Sequence, residues 1–224
     1  RAGALVAADN TFCTPLLQRP LELGADLVVH STTKYLNGHS DVVGGAVVAG
    51  TDELAERIAY WSNVLGVTGS PFDSYLTLRG LRTLPARLRA HTEGTEAVLE
   101  ALVGHPAVAA VHHPGLPDHP GHAVAARQQQ GFGAMVSLEL AGGREAVARF
   151  LDGLQCFTLA ESLGGTESLV AHPPTMTHAS MTPEAREVAG IGEGLLRLSV
   201  GLEDPADLAA DVAAGLERAG GGCR

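Results

Sequence analysis

The chain has 224 residues, 45% of them apolar, with 15 Lys plus Arg against 25 Asp plus Glu and a formal charge of −10. That length supports one large domain or two modest ones with a real core, and the acidic balance argues against a nucleic-acid binder, which needs a basic face to track phosphates. No apolar run approaches the roughly 20 residues of a membrane-spanning helix, and Cys13, Cys156 and Cys223, odd in number and far apart, read as free thiols of a reducing, cytoplasmic compartment.

The apolar run Leu5-Val6-Ala7-Ala8 predicts a first strand ending on Asp9. A second, Leu27-Val28-Val29, leads into the hydroxyl-rich turn Ser31-Thr32-Thr33 and then Lys34. The all-apolar stretch from Val42 to Ala49 reads as a strand buried on both faces. Thr51 or Asp52 can cap a helix with Glu53 and Glu56 in its first turn. Leucines at 76, 78, 81, 84 and 88 and the apolar residues 98, 99 and 102 carry helical spacing from Asp73 to Leu102, which Pro85 should kink or split.

Beyond that helix, candidate strands at Val108 to His112, Ala134 to Leu140, Cys156 to Leu159 and Leu195 to Val200 alternate with helices at Arg144 to Leu151 and Pro205 to Glu217. Asp204 followed by Pro205 is favourable chemistry for a helix start. Glycines 220 to 222 predict a flexible tail. The pattern fits a smaller mixed α/β domain over 91–224, after a larger domain over 1–90.

Lys34 and Asp9 carry the chemistry. A lone lysine after a strand is usually a solvated loop residue, and a lone aspartate there is usually a turn former or cap. At the ends of consecutive strand-like runs they weigh more, because open α/β sheets bind ligands at the carboxyl ends of their strands. A lysine, a hydroxyl turn and a carboxylate are the parts pyridoxal phosphate needs: an imine partner, a phosphate seat and an acid that keeps the pyridine nitrogen protonated. Arg197, inside the apolar run 195–199, is costly unless paired. It is either structural, in a buried ion pair or at an edge position exposed to water, or a two-point clamp on a carboxylate. His112, His113, His119 and His122 sit among prolines and lack the spacing of a zinc site, so they read as loop residues. The Gly-Gly pairs make no dinucleotide fingerprint.

Longer motifs extend this reading. The runs Ala8-Asp9-Asn10-Thr11-Phe12, Ser31-Thr32-Thr33-Lys34-Tyr35-Leu36-Asn37-Gly38-His39-Ser40-Asp41, Leu78-Arg79-Gly80-Leu81-Arg82-Thr83-Leu84 and Leu159-Ala160-Glu161-Ser162-Leu163-Gly164-Gly165-Thr166-Glu167 occur in this order, with Leu196-Arg197-Leu198-Ser199-Val200-Gly201 after them. Together they resemble the transsulfuration family of pyridoxal-phosphate enzymes, across nearly the whole chain. The segments at 60–69, 125–135 and 181–186 resemble its bacterial γ-synthase branch more than its lyases.

The resemblance implies the fold-type-I transferase architecture: part of a large parallel or mixed-sheet domain plus a smaller C-terminal α/β domain. It implies pyridoxal 5'-phosphate as cofactor, Lys34 as its Schiff-base lysine and Asp9 as the partner of its ring nitrogen, with Ser31 and Thr33 holding the phosphate from one side of a tight turn. Arg197 and Ser162 would bind a substrate α-carboxylate, and Glu161 the distal part of the substrate. No metal is implied. The expected reaction is γ-replacement of an O-succinyl- or O-acetyl-L-homoserine by L-cysteine in methionine biosynthesis. A cystathionine or methionine γ-lyase, and a non-catalytic fragment, are the alternatives. Against the family pattern roughly the first two-fifths is absent, so the chain is expected to be a C-terminal portion. Its expected partners are amino-acid substrates, further copies in a homo-oligomer (a tetramer by resemblance) and a companion N-terminal segment.

Overall fold

A computed structural model describes residues 3–221 and contains two sheets joined by one long helix. The first sheet has three strands in the order β1-β2-β3. Strand β1 (Ala7–Asp9) runs parallel to β2 (Leu27–Ser31), with Asp9 level with Val29. Parallel pairing brings both carboxyl ends to the same edge, so the Asp9 carboxylate emerges beside the turn that follows Ser31. A short helix α1 (Thr14–Leu17) and a 3-10 turn (Pro20–Leu23) make the crossover between them.

Strand β3 (Gly45–Ala49) pairs antiparallel with β2 and corrects the expectation for the run from Val42. It is not buried on both faces: Val43 is 87% exposed and Val47 and Val48 nearly half exposed. Among the described residues β3 has a neighbour on one side only, so an apolar composition did not guarantee a covered strand.

Helix α2 (Asp52–Leu65) settles its cap on Thr51, whose Oγ1 accepts from the Leu54 N–H at 3.3 Å. Helix α3 (Pro71–Leu102) opens on Ser70, whose hydroxyl accepts from the Asp73 N–H, and runs 32 residues without a break. Pro85 therefore does not split it. A mid-helix proline costs about 3 kcal/mol through one lost hydrogen bond and a clash. Burial of Leu84, Leu88, Val98 and Leu102 on one stripe outweighs this, at about 1.5–3 kcal/mol per side chain.

The second sheet has the order β4-β5-β8-β7-β6, with β4 (Val108–His112), β5 (Met135–Leu140), β6 (Thr158–Leu159), β7 (Leu169–Ala171) and β8 (Leu195–Ser199). All neighbours are antiparallel except β6 and β7. Alternation puts Val136, Leu138 and Leu140 of β5 and Leu196 and Leu198 of β8 into the core. Helix α5 (Gly143–Leu151) packs there with α7 (Pro205–Gly220), whose Leu208, Val212 and Leu216 are fully buried. Phe150 approaches Gly215 so closely that a Cβ there would lie 2.9 Å from its ring.

Three further departures concern the second sheet and the last helix. The strand expected over Cys156 to Leu159 shrinks to two residues because Asp211 of α7 takes the N–H groups of Gln155, Cys156 and Phe157, at 2.8, 2.8 and 3.1 Å. Strand β7 and the helices α4 (His122–Gln128) and α6 (Pro183–Val188) were not anticipated, being short and flanked by turn residues. The expected tail starts later than foreseen, since α7 continues through Gly220; Gly222 and Cys223 lie outside the described residues. No helix among the described residues is long and apolar enough to cross a membrane.

Candidate active site

At the end of β1 the Asp9 carboxylate accepts from the Thr11 N–H at 3.0 Å. The Thr11 hydroxyl, then that N–H, and more weakly the charge of His30, hold its pKa below the ordinary carboxylate value against a small opposing effect of burial. Thr11 also accepts from the Ser31 N–H at 2.8 Å through Oγ1, tying the ends of β1 and β2 together. It was not singled out from the sequence, although a threonine two residues after an aspartate is the spacing of a local side-chain turn.

Lys34 lies in a five-residue π-type turn, Thr32–Leu36, that breaks at the lysine itself, with φ −90° and ψ −132°. Such irregular turns recur at functional sites. The Asn37 N–H donates to the Thr32 carbonyl at 3.0 Å and the Gly38 N–H to the Lys34 carbonyl at 2.8 Å, so the turn is closed on both sides. Lys34 Nζ donates to Ser162 Oγ at 2.8 Å, across 128 positions of sequence. Burial first, and then the Arg197 charge, push the lysine pKa below its ordinary value, with Glu161 acting the other way.

Ser162 sits in the loop between β6 and β7 in the left-handed region, at φ +77°. Its carbonyl accepts from Arg197 Nη2 at 3.0 Å. Arg197, on β8, has its Nε buried without a partner. A desolvated guanidinium with an unused donor is ready for a planar anion such as a carboxylate. Glu161 acts on Lys34 and Arg197 through its charge and makes no ion pair with either among the described residues. Lys34, Ser162, Arg197 and Glu161, expected to work together, are thus gathered from both sheets.

Asp9, Ser31 and Lys34 face one open cleft of about 580 Å³, walled also by Phe12, Cys13 and Gln129. Thr33 departs from expectation. Its hydroxyl accepts from the Gly44 N–H at 3.0 Å and donates to the Gly44 carbonyl at 3.3 Å, so it is engaged by the backbone rather than free for a phosphate. Thr33 can reach a phosphate only by turning its O–H away from Gly44. An ionised carboxylate, an amine of lowered pKa and the Ser31 hydroxyl on one cleft fit pyridoxal phosphate. The histidines near residue 113 close turns instead: His113 and His119 accept from the N–H groups of Gly115 and Gly121 at 3.1 and 3.0 Å, and His122 bonds the Pro114 carbonyl.

Comparison with known proteins agrees with this geometry. Residues 1–217 match the model of the family described as Cys/Met metabolism PLP-dependent enzyme. The chain is 56% identical over 220 residues to cystathionine gamma-synthase of Escherichia coli, covering 98% of the chain and 57% of that protein. To L-methionine gamma-lyase of Fusobacterium nucleatum it is 49% identical over 218 residues, covering 96% of the chain and 55% of the relative. The crystal structure of cystathionine gamma synthase from Xanthomonas oryzae pv. oryzae, in complex with aminoacrylate and cysteine, superimposes with a TM-score of 0.95 at 65% identity. It covers 97% of this chain and 56% of that one. The chain spans a little over half the length of the relatives it matches. With its sheets, its lysine turn and nearly its full length accounted for, the chain belongs to the Cys/Met metabolism family of pyridoxal-phosphate-dependent enzymes.

Proposed function

We propose that the protein carrying this chain is a γ-synthase that exchanges the O-acyl group of O-succinyl- or O-acetyl-L-homoserine for the thiol of L-cysteine, giving L-cystathionine. The observation that carries the reading is Ser162, whose hydroxyl meets the Lys34 amine and whose carbonyl meets Arg197. A proton-transfer group and a carboxylate receptor within reach of one residue suit a substrate whose amino and carboxylate groups share one carbon. The likeness to γ-synthases at 56% and 65% identity supports the choice of branch.

Pyridoxal phosphate, when bound, supplies an electron-accepting ring. Lys34 would be its covalent attachment point, and the free amine would take the proton from the substrate α-carbon and then serve at the β-carbon. Its lowered pKa keeps more of it unprotonated and able to accept. Ser162 Oγ fixes the amine between transfers. Asp9, held ionised by Thr11, pairs with the ring nitrogen, while Ser31, together with a reoriented Thr33, binds the phosphate. Arg197 takes the α-carboxylate through the donors it has free, and Glu161 faces the distal part of the substrate. At the γ-carbon the C–O bond breaks with release of the acid, and the cysteine sulfur forms the new C–S bond as its proton departs.

Further elements of the reading are a cytoplasmic protein, a homo-oligomer that is a tetramer, a companion N-terminal segment completing the site, and a domain division near residue 90. The family's lyase branch is the second reading, favoured by the 49% identity to a methionine γ-lyase. Product analysis by mass after loading with pyridoxal phosphate separates them. Cystathionine formed only when cysteine accompanies acylhomoserine supports the γ-synthase. Keto acid from cystathionine or methionine without cysteine supports the lyase, and no product and no cofactor colour supports a non-catalytic fragment.

A further inference from the structure

Gly80, Arg87 and His91 are buried on one side of α3, and the exposed Thr83 lies one turn before Arg87. Arg87 is 5% exposed and makes no ion pair among the described residues. Its three contacts are neutral: Nη1 donates to the Tyr35 carbonyl at 2.9 Å, Nη2 to the Gly80 carbonyl at 2.9 Å and Nε to Thr83 Oγ1 at 3.1 Å. A buried cation without a counter-charge is costly, and burial pushes the Arg87 pKa down. Packing alone gives no reason to keep a charge there. The Tyr35 carbonyl gives one, since it directly follows the residue at which the lysine turn breaks. The backbone on both sides makes room for this contact. A Cβ at Gly38, where φ is +70°, would collide with the Arg87 guanidinium, and a Cβ at Gly80 with the Asn37 carbonyl.

One turn further along, His91 is fully buried, with Nδ1 at 2.7 Å from the Val200 carbonyl and 3.1 Å from that of Gly201. Two carbonyl partners require the proton on Nδ1. Val200 directly follows β8, the strand of Arg197. The His91 ring also meets Tyr35 edge-on, with centroids 5.3 Å apart.

We propose that Arg87 and His91 are positioning residues that use the rigid α3 as a gauge, setting the separation between the Lys34 amine and the Arg197 guanidinium. The inference rests on the reading of Lys34 and Arg197 given above. Arg87 holds the turn behind Lys34, and His91 holds the end of the strand behind Arg197. The α-carbon of a substrate gripped by Arg197 then lies under the lysine amine. A misplacement of about 1 Å costs up to about 100-fold in such a step.

The test uses two readouts on the protein carrying this chain. On the holoenzyme, kcat and KM are measured for acylhomoserine with cysteine. On the cofactor-free protein, labelling of Lys34 by trinitrobenzenesulfonate is followed against pH by peptide mass. Arg87→Lys keeps the charge but loses the two-carbonyl fork. It should lower kcat about 10- to 100-fold with little change in KM. It should also move the Lys34 labelling midpoint to higher pH, because the amine leaves its half-buried seat beside Arg197. His91→Leu should instead raise KM, and move the midpoint upward by less than Arg87→Lys does, since it weakens only the effect of the Arg197 charge on Lys34 and not the burial of the amine.

If both variants lower only the thermal midpoint, with kcat, KM and labelling as in the parent, the proposal is overturned. Should either fail to fold, Thr83→Val, which removes the hydroxyl that accepts from Arg87 Nε and donates to the Gly80 carbonyl, decides the matter: a midpoint shifted upward supports the gauge and an unchanged one sinks it. The labelling arm needs no substrate. A parent protein that makes no cystathionine would therefore count against the reaction assigned above without touching this test.

Discussion

Lys34, Asp9 and Arg197 make separable demands on the site. Borohydride reduction of the cofactor-loaded protein should fix the cofactor to the peptide containing Lys34, and Lys34→Ala should abolish turnover; label on another lysine would refute the assignment. Asp9→Asn keeps the shape but loses the charge that Thr11 maintains, and should cut kcat about 100- to 1000-fold, the usual cost of one misplaced electrostatic group. Arg197→Lys keeps a charge without the planar pair of donors. It should weaken binding of every α-amino-acid ligand about 10-fold or more, since a hydrogen bond to a charged group contributes ~1.5–3 kcal/mol. Equal affinities in a binding titration, with a lowered thermal midpoint, would make Arg197 structural. Glu161 raises the Lys34 pKa, so Glu161→Gln should move Lys34 labelling to still lower pH. Lys34 and Asp9 could be picked out as candidates directly, because strand ends mark ligand sites. Ser162 could not, since nothing local links it to a lysine 128 residues earlier; only the resemblance pointed there. Thr33 was half legible: its place in the turn follows from spacing, while its bond to Gly44 depends on how β3 returns beside it.

Among the elements, burial was harder to read than existence. The helices over 52–65, 71–102 and 205–220 follow from caps and periodicity, whereas the exposure of β3 depends on what lies beside it, which periodicity does not record. Strand β6 was overestimated because its competitor for backbone N–H groups, Asp211, lies more than fifty residues away. Arg87 gave no signal, since an arginine in an amphipathic helix usually faces water. The elements also share a pH liability. His30, His91 and His113 are buried, and desolvation is the main cause holding each folded pKa below the 6.5 of a free histidine. Above pH 6.5 they cost nothing. As pH falls through 6.5 the unfolded chain takes up protons that the folded chain refuses, so stability declines until the lower folded values are reached. The urea midpoint should therefore drop between pH 7 and pH 5, and His113→Gln should flatten that drop. A midpoint that stays level over this range would contradict the burial of these rings.

Across the whole molecule, the least covered surface is α2 and the start of α3. No residue of α2 is buried, and Tyr60, Trp61, Val64, Leu65, Phe72 and Tyr75 are all more than half exposed. The oligomer proposed above gives this surface a second copy as its partner. Trp61→Glu should then lower the particle mass measured by light scattering, whereas an unchanged mass would show that a second copy does not cover this patch. The same region holds the exposed loop 66–70, directly before α3. Because the link between the two sheets is a continuous helix about 48 Å long, a protease has no opening near residue 90 and should nick at this loop instead. The cut would leave Lys34 on one fragment and Arg197 on the other, with Lys34 to Ser162 and Arg87 to Tyr35 among the bonds across the break. Each fragment by itself would be inert. Reassociation of the two halves, rather than survival of either, would govern whether a nicked molecule recovers its chemistry.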